Sequence, residues 1–125
     1  CDMRSIARIA VLVAPALLAQ GCGSPASYSK DVKPFVDKYC VRCHKPGAEG
    51  TEKSGFMMVT YADLMKGTKY GPVVMPGDSF TSALVMLVEG RAHPSLRMPH
   101  DKGEKPTQAE IDRVKAWIDQ GAKEN

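Results

Sequence analysis

The sequence has no apolar run long enough to cross a bilayer, no strand-like alternation, no surplus of charge and few cysteines. Each absence narrows what the chain can be. The longest uncharged apolar run, Ile9 to Ala19, has eleven residues, where a spanning helix needs about 20. Nowhere do apolar and polar residues alternate over a strand length, so the expected class is all-α. Seventeen basic and 14 acidic residues leave a net charge of only +3. The lysines are interspersed with acids, which is not the footprint of a nucleic-acid binder. Of four cysteines, only Cys40 and Cys43 are closely spaced. A zinc site would need two further ligands, and His44, His93 and His100 offer no second close pair. A thioredoxin-like redox motif would need a βαβ pattern around the pair, and there is none.

What is present begins with an export segment. Arg4 and Arg8 precede the short apolar run, as in a signal peptide. Leu18-Ala19-Gln20-Gly21-Cys22 resembles a bacterial lipobox, with small residues ahead of a cysteine. The expectation is a signal peptide over residues 1–21 and a lipid on Cys22. Residues 22–28 would then be a short flexible tether, and the protein would be anchored at the periplasmic face. Met3 reads as a natural start, so Cys1 and Asp2 are expected to be either an upstream remnant or an artefact. About 100 residues are left to fold, few for a self-sufficient core.

The centre of that remainder is Cys40-Val41-Arg42-Cys43-His44. Two cysteines separated by two residues and followed at once by histidine form the attachment signature of a c-type haem. Each thiol can add to one porphyrin vinyl group, and His44 becomes the first axial iron ligand. A covalently held apolar macrocycle would also supply the interior that so short a chain lacks.

The remaining pattern predicts helices. Val32, Phe35, Val36 and Tyr39 form one apolar face of a helix running to Cys43, with Pro34 in its first turn and a start near Asp31. Residues 47–58, with Gly47, Gly50 and Gly55, read as a loop. Thr60 caps a short helix that Gly67 ends, and Ser79 caps another over Phe80 to Glu89, stopped by Gly90. Thr107-Gln108-Ala109-Glu110 is a capping box for a last helix that buries Ile111, Val114, Trp117 and Ile118. About four helices around one haem are expected, over residues 29–122.

A second axial ligand must come from downstream. Met65 and Met86 fall in helices and are expected to pack, while Met57 and Met58 lie near the attachment site and would cover a haem edge. Met98 stands in the stiff Arg97-Met98-Pro99-His100 segment, where a weak thioether can be presented at little ordering cost. Met98 is the first choice, with Met75, which also precedes a proline, and His100 as alternatives.

From Tyr28 to Ala122 the chain resembles the planctomycete-type cytochrome c domains, a branch of the class I cytochromes c. The matching stretches are Ser54-Gly55-Phe56-Met57, Leu64-Met65-Lys66-Gly67, the Gly71 to Asp78 loop, Ser82-Ala83-Leu84, Met98-Pro99, Trp117-Ile118 and Gly121-Ala122. The resemblance implies a compact bundle around one haem, with Met98 as distal ligand. It also implies that Pro46 turns the chain so that a carbonyl accepts the imidazole's other N–H, though a plain turn explains Pro46 equally well. The departures are Met75, where an aliphatic residue is common, and Glu104-Lys105-Pro106, where an apolar one is usual.

The expected activity is outer-sphere electron transfer with redox proteins as partners, and no bond chemistry. Arg97 is a candidate partner for a haem propionate, Trp117 for packing around the macrocycle, and Lys38, Lys45 and Lys66 for steering acidic partners. A haem subunit fixed in a larger respiratory or photosynthetic complex is the alternative, as is a haem enzyme if the distal position is open.

Overall fold

A computed structural model describes residues 24–100 and 103–125. A π-helical turn, Tyr28–Val32, runs into α1 (Lys33–Tyr39), followed by α2 (Glu49–Ser54), α3 (Tyr61–Lys66), α4 (Ala83–Glu89) and α5 (Gln108–Asp119). A 3₁₀ turn, Pro94–Leu96, interrupts the loop before α5. The domain is all-α, with no strand among the described residues and one isolated bridge, Thr68 to Gly71. None of the described helices is long and apolar enough to cross a membrane.

The first helical segment starts earlier and ends sooner than the sequence pattern predicts. Ser27 caps it by accepting from the Lys30 amide, while Asp31 accepts from the Ser27 amide at 2.7 Å. In a regular helix a proline ring clashes with the carbonyl four residues back; here the widened π turn precedes Pro34, which falls in the first turn of α1. Past Tyr39 the helix gives way to tight turns. Cys43 N and His44 N both donate to the Cys40 carbonyl, at 3.1 and 3.0 Å. The two cysteines therefore lie on turns that follow α1, not on the helix itself.

Two other expectations are corrected. Residues 47–58 contain a helix, α2, with Glu49 and Glu52 in its first turn and Lys53 in its last, a charge order that suits the helix dipole. Gly55 ends it in the left-handed conformation. α4 starts at Ala83 with Ser82 at its cap position, not at Phe80. Ser79 is instead tied to α5, where its amide and hydroxyl both donate to the Asp119 carboxylate, at 2.8 and 2.9 Å.

The core is organised by α5. Its capping box forms as predicted, and Ile111, Val114, Trp117 and Ile118 are all buried. Trp117 packs against Tyr28 and Tyr61, with ring centroids 5.8 and 6.4 Å away. Arg113 pairs with Asp31 at 2.8 Å, and Tyr39 Oη donates to Glu110. The N-terminal segment is then laced to the C-terminus. Ala26 is fully buried and its amide donates to Gln120 Oε1, while Tyr28 N and Ser29 N donate to Asn125. Arg113 also donates to the Ser24 and Pro25 carbonyls. Residues 24–28, expected as tether, are thus docked on the domain, and the packed chain extends through Asn125. The signal segment and Cys22 lie outside the described residues.

The capping box should carry measurable stability. Thr107→Ala removes the acceptor for the Glu110 amide and is expected to cost about 1 kcal/mol. Denaturant unfolding should show a lower midpoint at an unchanged slope.

Candidate functional site

The turns after α1 deliver Cys40, Cys43 and His44 to one wall of a cavity of about 700 Å³. That is within the size range of cofactor pockets, about 300–1,000 Å³. The same wall includes Tyr39, Gly50, Phe56 and Met58; α4 adds Leu84, Leu87 and Val88, and the following loop adds Met98, Pro99 and His100. Both thiols are free, Cys40 buried and Cys43 exposed. Burial pushes the Cys40 thiol up to about 12, so it stays protonated at neutral pH.

His44 is only 9% exposed. Its Nδ1 lies 3.1 Å from the Phe56 carbonyl oxygen, so Nδ1 carries the proton and Nε2 is the nitrogen free to bind a metal. Burial lowers the pKa of His44, with a smaller lowering from His100, and together they outweigh the raising effect of the Phe56 hydrogen bond. The net lowering favours the neutral imidazole that a metal requires. The tautomer is thus set by a backbone carbonyl, an outer-shell arrangement that also raises the basicity of the ligand nitrogen.

α2, the helix hidden among glycines, is what holds this imidazole. A Cβ on Gly50 would lie 2.5 Å from the Cys43 carbonyl oxygen and 2.9 Å from His44 Cε1. Only glycine lets the helix backbone approach the ring so closely. The Thr51 amide donates to the Cys43 carbonyl at 3.1 Å, and the Met58 amide to the His44 carbonyl at 2.8 Å. The His44 turn is therefore clamped from both sides by backbone.

The expected site residues separate clearly. Cys40, Cys43, His44, Met98 and His100 all line one cavity. Met75 does not; it is 44% exposed in the loop before α4. Met58 lines the cavity too, but its amide is tied to His44, which assigns it to the histidine's wall. Met98 is carried by the loop after α4, its amide held by the Leu87 carbonyl at 3.1 Å. Pro46 is exposed, and the role expected near it belongs to the Phe56 carbonyl. Trp117 lies in the core between the termini, its indole N–H donating to the Lys123 carbonyl. Arg97 lines an adjoining cavity of about 350 Å³ that shares Val88 and Met98 with the main one, and its guanidinium covers Gly90. Lys38, Lys45 and Lys66 are absent from the main cavity wall, and Lys38 pairs with Glu104 at 2.7 Å.

These residues fit a haem held through two thioethers. The test is the donor chemistry: a buried neutral imidazole with one nitrogen already bonded, two unpaired thiols beside it and a largely hydrocarbon wall facing them. Sequence reasoning missed Phe56, Gly50 and Thr51. For Gly50 the signal was a glycine inside Glu49–Lys53, a segment otherwise charged like a short helix. For Phe56 there was none, because its backbone acts.

A family model described as Planctomycete cytochrome C matches residues 40–102, just over half of the chain. No curated protein and no solved structure matches the chain.

The Gly50 contact makes a direct prediction. Gly50→Ala should displace the His44 turn, destabilise the domain by about 1–3 kcal/mol and lower the haem-to-protein ratio of the purified protein. A normal ratio and an unchanged melt would show that the close approach is dispensable.

Proposed function

The chain belongs to the planctomycete cytochrome c family, and on that premise we propose a lipid-anchored, monohaem electron carrier with His44 and Met98 as axial ligands. Membership of a c-type cytochrome family implies a covalent haem c and electron transfer. The finer reading is carried by one observation: His44, with Nδ1 bound to the Phe56 carbonyl, shares a cavity with Cys40, Cys43 and Met98.

When bound, the haem supplies a reversible one-electron change at its iron. The protein does the rest. Cys40 and Cys43 hold the group covalently, so it cannot dissociate between partners. His44 offers Nε2 from a ring whose rotation is stopped by Phe56 and Gly50. Met98 offers a soft thioether that favours the reduced state relative to a second imidazole. Leu84, Leu87, Val88 and Val73 exclude water from the cavity wall and disfavour the extra positive charge of the oxidised state. No substrate bond is broken in this cycle; a haem enzyme would need the distal position left open.

Several features support the anchored, exported form. Arg4, Arg8, the eleven-residue apolar run and the lipobox-like stretch ending in Cys22 precede the domain. Because Ser24 and Pro25 are held by Arg113, a lipid on Cys22 would stand only two residues from folded chain, about 7 Å at full extension. The partners are redox proteins at the periplasmic face. The low net charge of +3 and lysines interspersed with acids favour protein partners over nucleic acid.

Two experiments test separate parts. The oxidised protein should show the weak long-wavelength charge-transfer band of methionine-ligated haem, and Met98→Ala should abolish it and lower the midpoint potential. A wild-type protein without the band, with haem attached, would assign the position to His100 or leave it open. Cys22→Ala should end incorporation of a labelled lipid precursor and release the protein from membranes; labelling that survives the change would contradict the anchor.

A further inference from the structure

Thr51 makes a bond that its place in a helix does not call for. Serine and threonine hydroxyls inside helices commonly bond back to the carbonyl four residues earlier, and Ser54 does so, donating to the Gly50 carbonyl. Thr51, in the same helix, reaches forward instead. Its Oγ1 donates to the Phe56 carbonyl, beyond the helix end, at 2.9 Å. That is the oxygen on which His44 Nδ1–H is held at 3.1 Å. The Thr51 amide meanwhile donates to the Cys43 carbonyl at 3.1 Å. One residue thus ties the haem-attachment turn to the group that orients its imidazole.

A carbonyl oxygen has two lone pairs and can serve both donors. It cannot serve both at full strength, because density drawn by one hydrogen is withheld from the other. Both bonds lie within normal lengths, 2.9 Å for the hydroxyl and 3.1 Å for the imidazole N–H, so the one oxygen is shared by two real donors. The strength of the imidazole's outer hydrogen bond governs how basic its metal-binding nitrogen is. A stronger bond gives the ring imidazolate character and favours the oxidised metal.

We propose that Thr51 sets the haem potential from outside the ligand shell, its hydroxyl competing with His44 for the Phe56 carbonyl and holding the potential up. Thr51 is a positioning residue: it touches neither iron nor macrocycle and acts through Phe56 and His44. The proposal rests on His44 as an iron ligand.

The test uses the full haem-loaded protein with Thr51→Val and Thr51→Ser, reading the midpoint potential and the His44 Nδ1–H proton resonance in the reduced state. Thr51→Val should lower the potential by about 18–59 mV, a twofold to tenfold shift in the oxidised-to-reduced ratio at 59 mV per decade. The same change should move the Nδ1–H resonance downfield. Thr51→Ser, which keeps the hydroxyl, should return both to the wild-type values. A folded Thr51→Val protein with both readouts unmoved overturns the proposal, as does Thr51→Ser behaving like Thr51→Val. In the unsubstituted protein, the Thr51 hydroxyl proton should exchange slowly and show a cross-relaxation peak to His44 Nδ1–H. Its absence overturns the proposal whether or not the variants fold. A His44 ring with free-histidine shifts in the haem-loaded protein would bring down the ligand assignment itself, and the proposal with it.

Discussion

The hydrogen bond between His44 Nδ1 and the Phe56 carbonyl, 3.1 Å long, fixes the imidazole on which the rest of the site depends. A histidine free to rotate can present either nitrogen and is a poor fixed ligand. Here the ring is buried, its tautomer is chosen by a backbone oxygen, and its flank is closed by the Cα of Gly50. The turn that carries it is held at both carbonyls, Cys43 by the Thr51 amide and His44 by the Met58 amide. All of these contacts come from a stretch of sixteen residues, 43 to 58, so the half-site is a local structure. Local contacts cost little loop-closure entropy.

The Met98 side depends on distant contacts. Met98 is bonded to Leu87 of α4, and α4 is tied to α5 by the Glu89–Lys115 pair at 2.8 Å. α5 is in turn bound to the start of the chain through Arg113 and Asp31, Tyr28 and Trp117, and Asn125 with Ser27 to Ser29. Residues 26–29 and the end of the chain pack together, and the cavity itself is lined by the His44 turn, α2, α4 and the loop after α4. The cavity of about 700 Å³ is a mostly apolar cleft, open in part to solvent. Filling it with a bonded, largely apolar macrocycle would gain dispersion contacts and remove hydrocarbon from water.

How much of this was legible followed from which atoms do the work. Cys40, Cys43 and His44 could be read because their chemistry needs those side chains at that spacing. The Thr107 capping box could be read because a side chain must accept the Glu110 amide. Phe56 could not, since any residue supplies a carbonyl, and Pro46 was credited with a role that a backbone oxygen twelve residues beyond His44 performs. α2 was obscured by Gly50, which lowers helix propensity but is required by the ring beneath it. Ser79 looked like a cap because serine caps helices, yet Asp119 from α5 claims it. Trp117 was placed near the haem by position in the chain, and packing puts it against Tyr28 and Tyr61, away from the cavity; Arg97 lies over Gly90, next to Met98 in the adjoining cavity.

The most direct test of the central claim is the intact mass of the protein secreted by cells able to attach haem, followed by digestion to the peptide spanning Tyr39 to Lys45. The account predicts a mass increase of one haem, carried on that peptide, with neither Cys40 nor Cys43 open to alkylation. A protein of unmodified mass, with those two cysteines alkylated or joined to each other, would contradict it.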